Sequence, residues 1–387
     1  MTIYWTLNNN GMFTNNGLLD NRGPGILTNK GSLVNNHKLS NDGVFSNNPI
    51  GSIVNNSSFI NYQNFDNTGS FQNNINGTVT TLGTLANEDE LINLGTARIQ
   101  QLGSIDNTGK FGNQGPLLIE DQYSTLVNEK SGVILNSGEN SNIHNDGKIY
   151  NYGKIVSTCP INNRGDLWNT GTLSNEDWLE NTGKIVNDGL LSITSTGQLF
   201  NYNSIVNNGT IEIAANGVLS GGVDNEGAGR VIRHKLSGTG IIIGDYDNDG
   251  IISPGASSGG KVLRGNLTHR KGGNKTIELG GVSDECRDRV GSEYDFIDVT
   301  GDLILDGGML NVKLIDGFEL EPNQEFIIAK VDGELTGTYE GLREGSMVGM
   351  FDSILNHFEM PLYITYTAGD GNDIALYTQD SFPFNIY

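Results

Sequence analysis

The chain has 387 residues and a formal net charge of −22 at pH 7; glycine supplies 54 residues and proline only 8. An acidic chain of this kind repels nucleic acid and anionic membranes, so we expect neither as a partner. Glycine does not recur at every third residue, which excludes collagen, and the apolar residues (36%) recur at fixed places, which argues against disorder. The same acidity favours divalent cations.

The first residues predict an apolar strand. No signal peptide is apparent in Met1-Thr-Ile-Tyr-Trp, and no run of about 18 apolar residues predicts a transmembrane helix anywhere in the chain. The segment from Thr2 to Leu7, which contains Ile3 and Trp5, is β-prone. We expect it either to cap the edge of a sheet or to pair with a neighbouring subunit by strand addition.

A six-residue repeat follows, with the pattern Asn, any residue, Gly, any residue, an apolar residue, any residue. Its clearest copies begin at Asn15, Asn29, Asn41, Asn67, Asn145, Asn151, Asn169, Asn181 and Asn187. A period of six does not match the 3.6-residue turn of a helix, and Asn and Gly are poor in helix interiors. Each copy has room for one short strand with one inward apolar side chain.

A second, eight-residue unit begins at 21, 47, 73 and 99, which is a constant spacing of 26 residues. The spacing equals one eight and three sixes, and it predicts a coil that places each long unit above the previous one. From 193 to 213 the spacing is 20. Whether a coil has three or four sides is left open by this pattern.

Together the repeats predict an all-β fold, a parallel β-solenoid, over residues 1–235. Leu33, Phe45 and Phe71 are expected in an interior apolar column, and the Asn side chains in hydrogen-bonded ladders at the corners. Gly and Asn are expected at the corners because both tolerate positive φ. Sequons for glycosylation occur at Asn56, Asn76, Asn208, Asn266 and Asn274, with a further one at Asn55; many would arise by chance in so Asn-rich a chain.

Residues 236–387 form a second region, predicted as a continued β-helix or a β-rich cap. Its acidic turn, Asp245-Tyr-Asp-Asn-Asp-Gly250, places Asp245, Asp247 and Asp249 as in the first half of a calcium loop. Ala256 stands where the bidentate acid would be, so an ordinary acidic turn is the alternative. Residues 369–373 form a second acidic turn.

Longer alternating runs indicate further strands. The segment 294–314 predicts two strands joined by a glycine turn, and single strands are expected at 325–331, 362–366 and 373–377. The charged segment 284–289 is interpreted as a solvated loop. The chain ends in an aromatic tail, in which Phe382, Phe384 and Tyr387 are candidates for a cap or an assembly contact.

Three phrases resemble the C-terminal part of autotransporter-passenger-like and filamentous-haemagglutinin-like surface proteins. They are Leu-x-Gly-x-Gly-x-Ile-x-Gly with Ile-Ser-Pro-Gly-x-Ser-x-Gly at 236–268, the strand phrases at 294–314, and Gly-Asp-Gly-Asn-Asp-Ile-x-Leu at 369–376. The resemblance covers roughly the last 150 residues. It implies a right-handed parallel β-helix, secretion and a role at the cell surface. We do not expect the family's mode of anchoring to carry over to this chain.

Catalytic motifs are not apparent. His37, His144, His234, His269 and His357 stand in no recognisable motif and are expected at the surface. Acids are not expected to cluster with bases in a repeated register, as a polysaccharide lyase would need. Cys159 and Cys286 show no metal spacing, and a bridge between them is unsupported.

The sequence therefore predicts an extracellular structural or adhesive protein, not an enzyme, which assembles with copies of itself into a sheath, layer, matrix or filament. Calcium is the one cofactor that the sequence suggests, and surface glycans are candidate partners. The alternative is a carbohydrate-binding or carbohydrate-active β-helix protein, and a module that binds ice is a third hypothesis.

Overall fold

Each six-residue repeat forms a four-residue strand followed by a two-residue corner. The computed structural model describes residues 1–214, 217–220, 223–225, 235–238, 240–243, 246–248, 250–254, 258–284, 287, 292–353 and 359–379. Two compact units are present, residues 1–192 with 202–204, and residues 193–201 with 205–387. Every element of the described residues is a β-strand, which confirms the all-β prediction. No helix in this part of the chain is long and apolar enough to cross a membrane.

The first unit contains a series of short strands, of which the last extends by one residue, Ile193, into the second unit. They are β1 (Thr2–Ile3), β2 (Thr6–Asn9), β3 (Met12–Asn15), β4 (Leu18–Asn29), β5 (Ser32–Asn35), β6 (Lys38–Asn47), β7 (Ser52–Asn55), β8 (Ser58–Asn61), β9 (Asn64–Asn67), β10 (Ser70–Asn73), β11 (Thr78–Thr81), β12 (Thr84–Asn87), β13 (Glu90–Asn93), β14 (Thr96–Ile99), β15 (Ser104–Asn107), β16 (Lys110–Asn113), β17 (Pro116–Ile119), β18 (Thr125–Asn128), β19 (Val133–Asn136), β20 (Asn142–Asn145), β21 (Lys148–Asn151), β22 (Lys154–Ser157), β23 (Ile161–Asn163), β24 (Asp166–Asn169), β25 (Thr172–Asn175), β26 (Trp178–Asn181), β27 (Lys184–Asn187) and β28 (Leu190–Ile193).

These strands stack in parallel on three faces, so a coil has three sides. On the first face Leu39 is opposite Phe59, on the second Phe45 is opposite Phe65, and on the third Leu33 is opposite Ile53. Partners in these three pairs are 20 residues apart. Elsewhere among these strands the separation ranges from 18, as for Ile149 and Leu167, to 26, as for Leu117 and Ile143. The predicted parallel β-solenoid is confirmed.

The predicted 26-residue coil is wrong. The long units at 21, 47, 73 and 99 occupy the first, second, third and again the first corner, because 26 is one coil of 20 plus one side of 6. Two extra residues lengthen a corner while the strands on both sides of it keep their register. The long unit thus moves to the next corner with each coil.

Alternating burial builds the interior. In most strands the second and fourth residues are buried and the first and third face outwards, as in Ser32–Asn35. Leu33, Phe45 and Phe71 are each 0% exposed, which confirms the apolar column. Phe45 stacks on Phe65 with ring centroids 4.7 Å apart, and Phe59 packs edge-on against both rings.

The fourth residue of each strand is usually Asn, and these residues form the predicted ladders. The Nδ2 of each Asn donates to Oδ1 of the Asn in the next coil at 2.7–2.9 Å. At the second corner the ladder runs without a break through Asn9, Asn29, Asn47, Asn67, Asn87, Asn107, Asn128, Asn151, Asn169 and Asn187.

The other two corners carry variants of the same ladder. At the third corner Asn15, Asn35, Asn55, Asn73, Asn93, Asn113 and Asn136 are joined in the same way, and Ser157 accepts from the last of them. At the first corner the ladder is interrupted: Ile99 and Ile119, both 0% exposed, stand in line between Thr81 and Asn145. The apolar side chain thus replaces the Asn amide in two successive coils, where each isoleucine has the other as a neighbour.

The corner glycines are required for a different reason from the predicted one. Within residues 1–214 positive φ occurs only at Gln101 and Gly138, so tolerance of positive φ is not the reason why glycines occupy the corners. The cause is close stacking: a Cβ added to Gly171 would lie 2.0 Å from the carbonyl oxygen of Gly153 in the preceding coil. A Cβ on Gly17 would meet nothing within 4 Å.

The second unit contains the remaining strands, except that the first residue of β30, Ser204, belongs to the first unit. They are β29 (Gln198–Asn201), β30 (Ser204–Asn207), β31 (Thr210–Ile213), β32 (Val218–Ser220), β33 (Val223–Asn225), β34 (Lys235–Gly238), β35 (Gly240–Ile243), β36 (Tyr246–Asn248), β37 (Ile251–Pro254), β38 (Gly260–Arg264), β39 (Leu267–His269), β40 (Asn274–Leu279), β41 (Phe296–Val299), β42 (Leu303–Asp306), β43 (Met309–Leu314), β44 (Glu325–Ala329), β45 (Leu335–Thr338), β46 (Met347–Phe351), β47 (Met360–Ala368) and β48 (Asp373–Tyr377).

Its solenoid part continues through β43 and includes β45, which pairs in parallel with β42. The strands β44, β48, β47 and β46 form, in that order, a small antiparallel sheet. The segment 294–314 forms three strands on three faces, β41, β42 and β43, so the predicted pair joined by a glycine turn is wrong. The strands predicted at 325–331, 362–366 and 373–377 are present as β44, β47 and β48. The composition change near 236 falls inside this unit.

Candidate functional site

A groove of about 500 Å³ lies on the first unit, along the corner between the first and second faces. Three glycines, Gly147, Gly165 and Gly183, recur along it at the same repeat position. The remaining lining residues are Gln122, Tyr123, Asp146, Lys148, Arg164, Asp166, Thr182, Lys184 and Asn203. The glycines required by close coil stacking thus leave a strip without side chains between two rows of polar residues.

The two rows follow directly from the repeat. Lys148, Asp166 and Lys184 each follow a corner glycine, and the structure places them in register on β21, β24 and β27. Asp146, Arg164 and Thr182 each precede a corner glycine and form the other row. Successive coils are about 4.8 Å apart. Both rows therefore present a different polar group at every step along the groove.

A longer corner adds a wall to the groove. Residues 120–124 replace the usual two-residue corner between β17 and β18. The Asp121 carboxylate holds this loop, because its Oδ1 accepts the backbone N–H groups of Tyr123 (3.0 Å) and Ser124 (3.1 Å). The Tyr123 side chain remains 60% exposed at the groove.

The groove has a local excess of positive charge in an acidic protein. Lys148, Arg164 and Lys184 line it with two acids, Asp146 and Asp166. Within the described residues none of the three cations makes an ion pair shorter than 4.0 Å. Asp146 instead contacts the His144 ring, with 3.2 Å between Oδ2 and Nε2.

This groove corrects the expectation that acids and bases do not cluster in a repeated register. The three residues at 148, 166 and 184 are 18 residues apart, whereas the spacing of the long units suggested 26. With the wrong coil length the three positions appear unrelated. A coil length of 18 would have aligned them from the sequence alone.

An aromatic pair lies beside the groove on the second face. Tyr150 and Trp168 are two residues beyond Lys148 and Asp166 on the same strands, and all four side chains face outwards. The two rings stack with centroids 4.8 Å apart and planes 8° apart. Their faces contact each other, so the pair borders the groove as a ridge.

A second group of charges is buried inside the second unit. Lys261 (0% exposed), Lys275 (2%) and Asp295 (0%) point into the interior. Asp295 accepts the N–H of Gly259 at Oδ1 and that of Glu278 at Oδ2, both at 3.0 Å, and Lys275 Nζ donates to the Ile328 carbonyl at 3.1 Å. These bonds join three parts of the unit.

Burial disfavours the charged forms in this cluster. It lowers the pKa of Lys261 and of Lys275 to about 7, against the opposing attraction of Asp295 and, for Lys275, of Asp298. It raises the pKa of Asp295 to about 8, although the two backbone N–H bonds stabilise the carboxylate. No pattern in the sequence indicated the cluster, because all three residues lie outside the repeat.

The interpretation of 284–289 as a solvated loop is wrong for Arg287. Its side chain is only 11% exposed, its guanidinium carbon lies 4.3 Å from the centre of the Phe296 ring, and it donates to Asp298 at 2.9 and 3.2 Å. Asp284 is its second partner, at 3.4 Å. Residues 285–286 and 288–289 lie outside the described residues.

The surface expectation for the histidines is wrong at His269, which is 2% exposed. His269 occupies an Asn position of the second corner, where Asn248 Nδ2 lies 2.9 Å from its Nδ1. Burial, and then the charge of Lys275, lower its pKa to about 4. His37 is exposed and His144 half-buried, and His234 and His357 lie outside the described residues.

The other residues singled out from the sequence lie partly within the described residues and partly outside them. Asp245 and Asp249 lie outside the described residues, as do Phe382, Phe384 and Tyr387, and only the backbone of Asp247 is described, within β36. Ile3 is buried in the core at 4% exposure, whereas Trp5 is 82% exposed. Cys159 is a buried free thiol, and Cys286 lies outside the described residues.

The structure gives the exposure of the sequon residues, and their glycosylation stays a prediction. Asn76 and Asn266 are exposed; Asn56, Asn208 and Asn274 are half-buried. The Asn56 amide donates to Asn36 at 2.8 Å, and Asn274 accepts from Asn311 at 2.6 Å.

Comparison with known proteins adds no relative. No protein-family model matches the sequence, and no curated protein matches it significantly.

Proposed function

We propose that the chain is an extracellular structural or adhesive protein, a scaffold that holds a patterned outer surface. The observation that carries this proposal is that the inward and outward positions of each strand in the first unit have different roles. The buried second and fourth positions supply the apolar column and the amide ladders, and the outward first and third positions vary in type. Outward side chains can thus change without disturbing the interior, which suits a surface made for contact.

The proposed location outside the cell rests on the resemblance to autotransporter-passenger-like and filamentous-haemagglutinin-like proteins. The parallel solenoid is the fold that this resemblance implies, and it supports the proposal. Membership of that group and a right-handed coil are proposed on the same ground. Neither nucleic acid nor membrane insertion is part of the proposed role, and copies of the chain and surface glycans are the proposed partners.

Self-assembly is the part of this proposal that is tested most directly. Trp5 and Met12, both 82% exposed, lie in the first coil and offer apolar surface to a second copy. Sedimentation velocity over a wide concentration range, with electron microscopy of the same samples, should show larger species. Trp5→Ser should reduce them, and Tyr62→Ser, which alters an exposed aromatic residue at a later corner, should not. Monomers at all concentrations would contradict the assembling form of the proposal.

The groove favours one second candidate, a carbohydrate-active protein. Asp146 and Asp166 stand beside Lys148, Arg164 and Lys184, the residue types that polysaccharide cleavage uses for proton transfer and charge neutralisation. We propose binding without turnover as the primary role. Incubation with uronate-containing and neutral polysaccharides, followed by measurement of reducing ends and of unsaturated products, decides between the two. Turnover that is lost in Asp166→Asn would establish the enzyme.

A further inference from the structure

We propose that the groove binds a glycan chain bearing carboxylate groups, such as a uronic-acid polymer. This inference rests on the proposed adhesive role and names the ligand class for it. It is carried by three features of the groove, namely cations without ion partners, acids placed between them, and an exposed tyrosine at the loop wall.

The lysine and arginine side chains of the groove favour an anionic ligand. Lys148, Arg164 and Lys184 converge on one concave surface, and within the described residues none is neutralised by an ion pair. With three cations against two acids the lining has one net positive charge, in a chain whose formal net charge is −22. A carboxylate bound there gains charge-assisted hydrogen bonds, whereas over the rest of the acidic surface it is repelled.

The spacing calls for a polymer. Lys148 and Lys184 are two coils apart, which is about 10 Å along the groove at the usual strand spacing. A single carboxylate or phosphate could contact both ammonium groups only if the two long side chains bent towards each other, at a cost in side-chain entropy. A chain with a carboxylate on successive rings is long enough to meet both, with Arg164 between them on the opposite row.

The remaining lining selects a sugar over a polyphosphate. Asp146 and Asp166 alternate with the cations and would repel a densely charged nucleic acid, but they accept hydrogen bonds from hydroxyl groups. Tyr123 adds an exposed aromatic ring, which offers an apolar surface to the C–H groups of a sugar. Hydroxyl donors, carboxylates and apolar ring faces occur together in acidic glycans.

The test measures binding of the full chain to polygalacturonate, to dextran sulfate and to neutral dextran by isothermal titration calorimetry. We expect polygalacturonate to bind and neutral dextran not to bind. The double variant Lys148→Ala/Lys184→Ala should weaken the binding by about tenfold or more, and Tyr123→Ala should weaken it less. Lys154→Ala is the matched control: Lys154 also begins a strand and faces outwards, but on the third face, and its loss should change the affinity less than about twofold.

Several outcomes would overturn the inference. Equal or tighter binding of dextran sulfate would show that any polyanion is accepted. Polygalacturonate binding that is unchanged in the groove variants would place the site elsewhere and leave the adhesive proposal standing. If no polysaccharide binds, the inference fails, and the adhesive role is then judged by the assembly experiment alone. Circular dichroism of each variant establishes that the outward substitutions leave the strands intact.

Discussion

Both units bury corner amides, and they differ in the polar groups that they add to them. In the first, neutral amides repeat along the coil axis, and each bonds to the next. In the second, ionisable groups, Lys261, Lys275 and Asp295, are buried in addition to such amides, at positions that do not recur. A repeated neutral amide loses little on burial because its partner is always present, whereas a buried charge depends on a few specific contacts.

The two units should therefore differ in their sensitivity to the loss of a buried polar side chain. A ladder tolerates replacement where the neighbouring coils change too, as at Ile99 and Ile119. The charge cluster has no such alternative, because Asp295 alone binds both Gly259 and Glu278. Removing one member of the cluster should therefore be more damaging than removing one ladder amide.

Asp295→Ala should have the largest effect. Two buried N–H groups lose their acceptor and two buried lysines lose the nearby carboxyl group, so we expect a loss of about 4 kcal/mol in the stability of the second unit. Hydrogen exchange resolved by peptide would measure it, with Asp306→Ala, at an exposed position of β42, as the control. Equal protection in both variants would show that the cluster contributes nothing.

Acid should weaken the second unit through His269. Its pKa is about 4 in the folded protein against an ordinary value of 6.5, so the unfolded chain binds the proton first as the pH falls. Stability should therefore drop between pH 6.5 and 4, by about 3 kcal/mol in total. His269→Asn restores a ladder amide and should remove this part of the loss, measured as the difference between the two unfolding curves. If the stabilities of the two proteins fall in parallel between pH 6.5 and 4, the loss does not come from His269.

Gly171→Ala tests the close stacking of corners in the first unit. The added methyl group would lie 2.0 Å from the Gly153 carbonyl oxygen, and we expect a cost of about 2 to 3 kcal/mol from the forced backbone shift. Gly17→Ala is the control at the same repeat position, with nothing within 4 Å, and should be nearly neutral. Urea unfolding of both variants provides the comparison, which fails if both are neutral.

The smallest expected effect comes from a single ladder amide. Asn35→Ala removes a buried side chain that bonds to Asn15 and Asn55, both at 2.7 Å, and should cost about 2 kcal/mol. Asn36→Ala removes the exposed neighbour, which bonds to Asn16 and Asn56 at 2.8 Å, and should cost less than about 0.5 kcal/mol. Similar urea midpoints for the two variants would mean that burial does not strengthen the ladder.

Local spacing in the sequence predicted the strands, the apolar column and the ladders, because each depends on residues within one repeat. Properties of the coil were missed. The migration of the long unit from corner to corner produced a regular spacing of 26 that is not the coil length, and this concealed the alignment of Lys148, Asp166 and Lys184. Arg287 and Asp295 were missed because their partners lie on strands that only the fold brings together.

The amide ladders give the first unit a direction. Every inner amide donates towards the following coil, from Asn9 to Asn29 and onwards, while the exposed row through Asn36 donates towards the preceding one. A duplicated coil spliced between two others would therefore find an acceptor ahead of it and a donor behind it at each corner. Growth of the gene by whole turns would conserve the interior bonding, so the length of this region is free to vary among descendants in steps of one coil.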